Sequence, residues 1–181
     1  LHITDRPTLG GVIGPFSLAG RLYDFTEIMV DLLLEPAVIH ALLEKCTAFL
    51  IEYIQAFKQA GADGIIMAEP AAGLLSAPQA DAFSSQCIRR IVAATQDDSF
   101  TFILHNCGNT VQLVPSMLST GAAGFHFGNA VQMTDILPQI PADKLVFGNI
   151  DPAKVLKNGS PAVVRDAVLD LLDKTAEWRN F

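Results

Sequence analysis

Apolar residues recur at spacings of three and four from about residue 35 to residue 60, where Ile39, Leu42, Leu43, Cys46, Phe49, Leu50, Tyr53, Ile54 and Phe57 mark one face of a helix. Gly61 ends it. Residues 64–68, Gly-Ile-Ile-Met-Ala, follow as a continuous apolar run closed by Glu69 and Pro70. A run without polar alternation predicts a strand buried on both faces.

The same unit then repeats along the chain. Ser76 and Pro78 open a helix that places Phe83, Cys87 and Ile91 on one face, and residues 100–104 form the next strand, ending at His105. A helix over about 110–118 leads through Gly121 to a strand at 124–127, and one over about 133–137 leads to a strand at 145–147. Ser160 and Pro161 are an N-cap and first-turn pair, with Val164, Ala167, Val168, Leu171 and Leu172 as the buried face of the last helix. An earlier strand is expected at 11–14, before Pro15.

About five strands, separated by helices and with no hairpin signal between them, require parallel pairing through crossover helices. The choice is between a doubly wound sheet and a β/α barrel. No strand is followed by a glycine-rich phosphate motif of the dinucleotide or P-loop type, which favours the barrel. Residues 1–181 read as one domain, and since a closed (β/α)8 TIM barrel takes about 250 residues, the expectation is an incomplete barrel of about five β/α units.

Composition narrows the partners. Half of the 181 residues are hydrophobic and the net charge is −7 with no basic cluster, so no electrostatic footprint exists for nucleic acid or for an anionic membrane surface. No apolar run is long enough to span a bilayer, and the expected location is the cytoplasm. Three cysteines, Cys46, Cys87 and Cys107, form an odd and sparse set that fits free thiols better than disulfides.

In parallel α/β folds the reactive groups gather at the carboxyl ends of the strands. Here those ends carry Pro15-Phe16, Glu69-Pro70, His105-Asn106-Cys107-Gly108, His126, and Asn149-Ile150-Asp151-Pro152. His105 and Cys107 are one residue apart, so in extended backbone both side chains point to the same side, and imidazole with thiolate is a donor set that favours zinc. Chance alone produces a His-x-Cys in such a composition with probability of about 0.07, and a packed histidine beside a buried cysteine is the competing reading. Catalytic zinc takes three protein ligands, for which Glu69 and His126 are the available candidates, each also readable as a hydrogen-bonding group of the cavity.

The other candidates are weaker. Cys46 and Cys87 fall on apolar helix stripes, where cysteine packs as a small hydrophobe; His40 sits on a helix surface and His2 beside a terminus. There is no Gly-x-Ser-x-Gly elbow for a serine nucleophile. A Glu69–Asp151 carboxylate pair is conceivable, although Asp151-Pro152 also reads as a turn into the next helix.

Together, Gly14-Pro-Phe-Ser-Leu-Ala19, Gly61-Ala-Asp-Gly64 leading to Glu69-Pro70, His105-Asn-Cys-Gly-Asn109 and Phe147-Gly-Asn-Ile-Asp-Pro152 resemble, in order, the successive motifs of the uroporphyrinogen decarboxylase superfamily. Within it the His-x-Cys element is similar to that of the zinc-dependent methyltransferases that move a methyl group from a methylated corrinoid protein to a small thiol such as coenzyme M. The resemblance implies a Zn2+ cofactor held by His105 and Cys107, a corrinoid protein as partner carrying the methyl-corrinoid co-substrate, catalytic roles for Glu69 and His126, and substrate contacts from Phe16 and Asn149.

In that subgroup the third zinc ligand is a cysteine on the last barrel strand. This chain has no cysteine after Cys107, and the expectation is a fragment whose third ligand lies beyond Phe181 and whose start lacks roughly a hundred family residues. His126 stands where relatives often carry an acidic residue, and Glu69 where they commonly carry Asp before Pro. A porphyrinogen decarboxylase and a non-catalytic corrinoid-binding barrel are the alternatives; the first calls for cations at the mouth, where Arg6 and Arg21 are the nearest.

Overall fold

The computed structural model describes residues 5–181; His2 lies outside them. Five parallel strands, β1 (Leu9–Ile13), β2 (Gly64–Ala68), β3 (Thr101–Asn106), β4 (Gly124–Phe127) and β5 (Leu145–Phe147), form one sheet in sequential order. Sequential order with a helical crossover at every step is the topology of a β/α barrel, open here between β5 and β1.

Two helices that the apolar pattern did not predict fill the first crossover, α1 (Pro15–Tyr23) and α2 (Phe25–Leu34). Pro15 starts α1 because a missing N–H costs nothing in a first turn. Asp24, at φ 85, breaks the run and then accepts from the Thr26 and Glu27 amides to cap α2. The long α3 (Pro36–Gln59) is the predicted helix, burying Ile39, Leu43, Cys46, Leu50 and Ile54 at the expected spacing.

After β2 the chain makes a 3-10 turn (Pro70–Leu74), then α4 (Ala77–Ala80), capped reciprocally by Ser76 and Gln79, which runs through a π turn (Asp81–Ser85) into α5 (Gln86–Thr95). The short helices α6 (Val114–Leu118) and α7 (Met133–Ile136) lie where the pattern placed them. Cys46 and Cys87 are buried core thiols.

The last helix, α8 (Pro161–Lys174), begins at the Ser160 cap as expected, but it has no buried residue. The expected buried face is a correction: Val168 and Leu172 are 37% and 52% exposed and only Leu171 packs against the core, because no element among the described residues covers that side of the helix.

Strand parity divides the sheet. Val12, Ile65, Met67, Phe102, Leu104, Phe125, Phe127 and Val146 point to the helix layer and are sealed in the core. Each fully buried aromatic or aliphatic side chain there contributes about 2 kcal/mol. The alternate residues face the hollow of the incomplete barrel, where Leu145 and Phe147 are 48% and 37% exposed.

Candidate active site at the carboxyl ends of the strands

The strand register decides which predicted residues meet. Ile13 pairs with Ala68, Ala68 with His105, His105 with His126 and His126 with Phe147, so these five residues form one row across the sheet on its hollow-facing side. Glu69 and Asn106, one step further along, turn to the helix face and are buried. Register, not proximity in sequence, sets the composition of the site.

His105 and His126 are both half-buried and in contact: their Nδ1 atoms are 2.6 Å apart, and His105 Nδ1 is 3.2 Å from the His126 carbonyl oxygen. The rings are tilted by 56° with centroids 4.6 Å apart. Burial pushes both imidazoles below their ordinary value; the neighbouring His105 pushes His126 further down, while the His126 carbonyl partly offsets the effect at His105. Burial thus favours the neutral form of both rings, the form in which imidazole ligates a metal.

Cys107 leaves the end of β3 exposed, and with His105 and His126 it lines one cleft of about 500 Å³ whose far wall includes Asn149 and Pro152. Gly128 is what lets the chain just past β4 come so close: a Cβ there would lie 2.6 Å from the Cys107 Cα. Asn149 donates to the carbonyls of Gly128 at 3.2 Å and Val131 at 2.6 Å. Its amide group is thereby fixed. A second recess of about 400 Å³ adjoins His105 from the β1 side and includes Arg21.

Glu69 does not join this group. Its carboxylate accepts from the amides of Phe16 at 2.9 Å and Ser17 at 2.7 Å, from the Ser17 hydroxyl, and from Ser84 Oγ at 3.2 Å. These amides open the first turn of α1, where an acceptor satisfies orphan donors. Gly14 permits the approach, since a Cβ there would fall 2.5 Å from Glu69 Oε2. Burial holds the Glu69 carboxyl above the usual carboxylate range against the opposing pull of its donors.

Phe16 is wholly buried in the core. The placement of Glu69 and Phe16 thus corrects the expectation that they face the cleft: Glu69 turns to the helix layer just past the end of β2, and Phe16 sits on the buried face of α1. Asp151 turns to the Ala153 and Lys154 amides at 2.8 Å each, forming the expected turn, and so is not paired with Glu69. Sequence reading named His105 and His126 separately and missed their contact. The contact depends on the register, which sets Gly124 opposite Ile103 and so puts residue 126 beside residue 105.

The donor chemistry fits zinc in part. A neutral imidazole and an exposed thiol share the cleft, yet among the described residues no three His, Cys, Asp or Glu side chains gather into a metal site. Of a three-ligand catalytic set, the cleft offers at most the His105 imidazole and the Cys107 thiol as a metal-binding pair among the described residues.

The sheet order and the helical crossovers, with the His105–His126 pair at the strand ends, define a partial β/α barrel. Residues 3–180 match the family described as uroporphyrinogen decarboxylase (URO-D), and the chain belongs to that family. It is 30% identical over 171 residues to the methylcobamide:CoM methyltransferase MtbA of Methanosarcina acetivorans, covering 93% of this chain and 50% of that protein. It is also 28% identical over 156 residues to the uroporphyrinogen decarboxylase of Desulfotalea psychrophila, covering 83% of this chain and 45% of that one. A solved methyltransferase from Methanosarcina mazei superposes with a TM-score of 0.86 at 22% identity, over 94% of this chain and 51% of its own. The chain thus spans about half the length of the relatives it matches, and no helix among the described residues is long and apolar enough to cross a membrane.

Proposed function

We propose that this protein is a cytoplasmic, zinc-dependent methyltransferase that moves a methyl group from a methylated corrinoid protein to a small thiol. The observation that carries the reading is the shared cleft of His105 and Cys107 at the carboxyl end of β3, where burial favours the neutral imidazole. The similarity to a methylcobamide:CoM methyltransferase supports it.

His105 and Cys107 hold the metal together with a ligand from outside the described residues. Bound zinc supplies one thing: it lowers the pKa of a coordinated thiol so that a thiolate is available near neutral pH. The chain's own residues do the rest. His126, on the same row, donates to the substrate. Asn149, fixed by two backbone carbonyls, offers its amide oxygen across the cleft. Glu69 and Phe16 act from behind, anchoring α1 against the strand ends, and the hollow face excludes water from the thiol once substrate and corrinoid protein close over it.

Thiol methylation from methylcobalamin, assayed with the full-length protein, tests the reading. Transfer that a chelator abolishes and zinc restores is the expected result. Decarboxylation of a porphyrinogen that no chelator affects would overturn it in favour of a decarboxylase, whose many-carboxylate substrate would find only Arg21 as a cation lining these two recesses.

A further inference from the structure

The His105–His126 contact has a direction. The Nδ1 of His105 faces two groups at once, the Nδ1 of His126 at 2.6 Å and the carbonyl oxygen of His126 at 3.2 Å. A carbonyl only accepts, so a proton on His105 Nδ1 satisfies it, whereas a lone pair there would face another lone pair. With that proton on His105, the His126 Nδ1 must accept as well, and in a neutral ring its own proton then sits on Nε2. No hydrogen bond from the described residues reaches either Nε2, and neither atom is a sealed, unpartnered one.

We infer that His126 is a positioning residue that locks His105 in its Nδ1–H tautomer, so that His105 presents a bare Nε2 lone pair to the cleft while His126 presents an Nε2–H beside it. The two rings differ in role. One is a ligand and the other a hydrogen-bond donor, suited to an acceptor oxygen of the thiol substrate. The acidic residue that would ordinarily accept the second N–H of a metal-bound histidine is replaced by a ring that also faces the substrate. The metal-site meaning of this assignment rests on the zinc reading above; the tautomer itself does not.

Long-range proton–nitrogen NMR on the metal-free protein, at a mildly alkaline pH where imidazoles are neutral, reads the tautomers directly. His105 is expected as the Nδ1–H form and His126 as the Nε2–H form. An Nε2–H signal for His105 would overturn the inference. His126→Phe keeps the ring volume but removes the shorter acceptor, and should weaken cobalt(II) binding by roughly 10- to 100-fold; His126→Asp, which restores an acceptor, should recover most of it. Equal cobalt affinity in wild type and His126→Phe would contradict the positioning role. If no variant binds cobalt while the tautomers are as assigned, the zinc reading fails and the tautomer assignment stands.

Discussion

The two faces of the same strands behave as different materials. On the helix side, Met67, Phe102, Leu104, Phe125 and Phe127 are sealed, and the one buried carboxylate among the described residues, Glu69, has its hydrogen bonds filled by α1 and Ser84. On the hollow side, one residue away in each strand, His105 and His126 are half-buried, Cys107 is exposed just beyond, and ring nitrogens are left without partners. Parity is what separates a stabilising polar group from a reactive one. A buried carboxylate that is saturated with donors is architecture; an imidazole with an open nitrogen at a cleft is chemistry.

Substitutions on the two faces should therefore trade stability against site integrity. Glu69→Ala should have the largest effect on folding. It strands the Phe16 and Ser17 amides and the Ser17 and Ser84 hydroxyls, and a loss of about 3 kcal/mol by urea denaturation is expected. A loss under about 0.5 kcal/mol would show that Glu69 is not an anchor.

The pH dependence gives a second reading of the same residue. Its carboxyl is held above the usual range, so the folded state favours the protonated form. That contribution is complete below the ordinary carboxylate value and is lost as pH rises through the raised one. Wild type should therefore gain on Glu69→Gln as the solution is acidified.

Gly128→Val comes next. Its Cβ would press on the Cys107 backbone, costing about 2 kcal/mol and displacing the thiol. A faster-reacting, more loosely held Cys107 toward a thiol reagent is expected, and an unchanged rate would break the link between Gly128 and the site. His105→Ala should cost least in stability, under about 1 kcal/mol, because the ring lies on the open face.

Much of this arrangement was legible in the sequence. The long periodic helix, the apolar strand runs and the strand-end positions of His105, Cys107, His126 and Asn149 follow from spacing alone, since each is a local property. What escaped depends on partners. Helices α1 and α2 were hidden because Pro15 and Phe16 read as a strand end, and because Val30, Leu33 and Leu34 are exposed and blur the helical stripe of α2. Glu69 looked like a cleft residue because a strand end can turn to either side, and only the donors of α1 and Ser84 draw it to the helix layer. The apolar stripe of α8 predicted burial, but a stripe states only that a helix can be covered, not that something covers it.

The central claim is that His105 and Cys107 hold zinc, and metal content measured by mass spectrometry on the full-length protein tests it most directly. About one zinc per chain in wild type, lost in both His105→Ala and Cys107→Ala while both variants unfold at nearly the wild-type urea concentration, is the predicted result. Absence of zinc from the wild-type protein, or zinc retained in both variants, would contradict it.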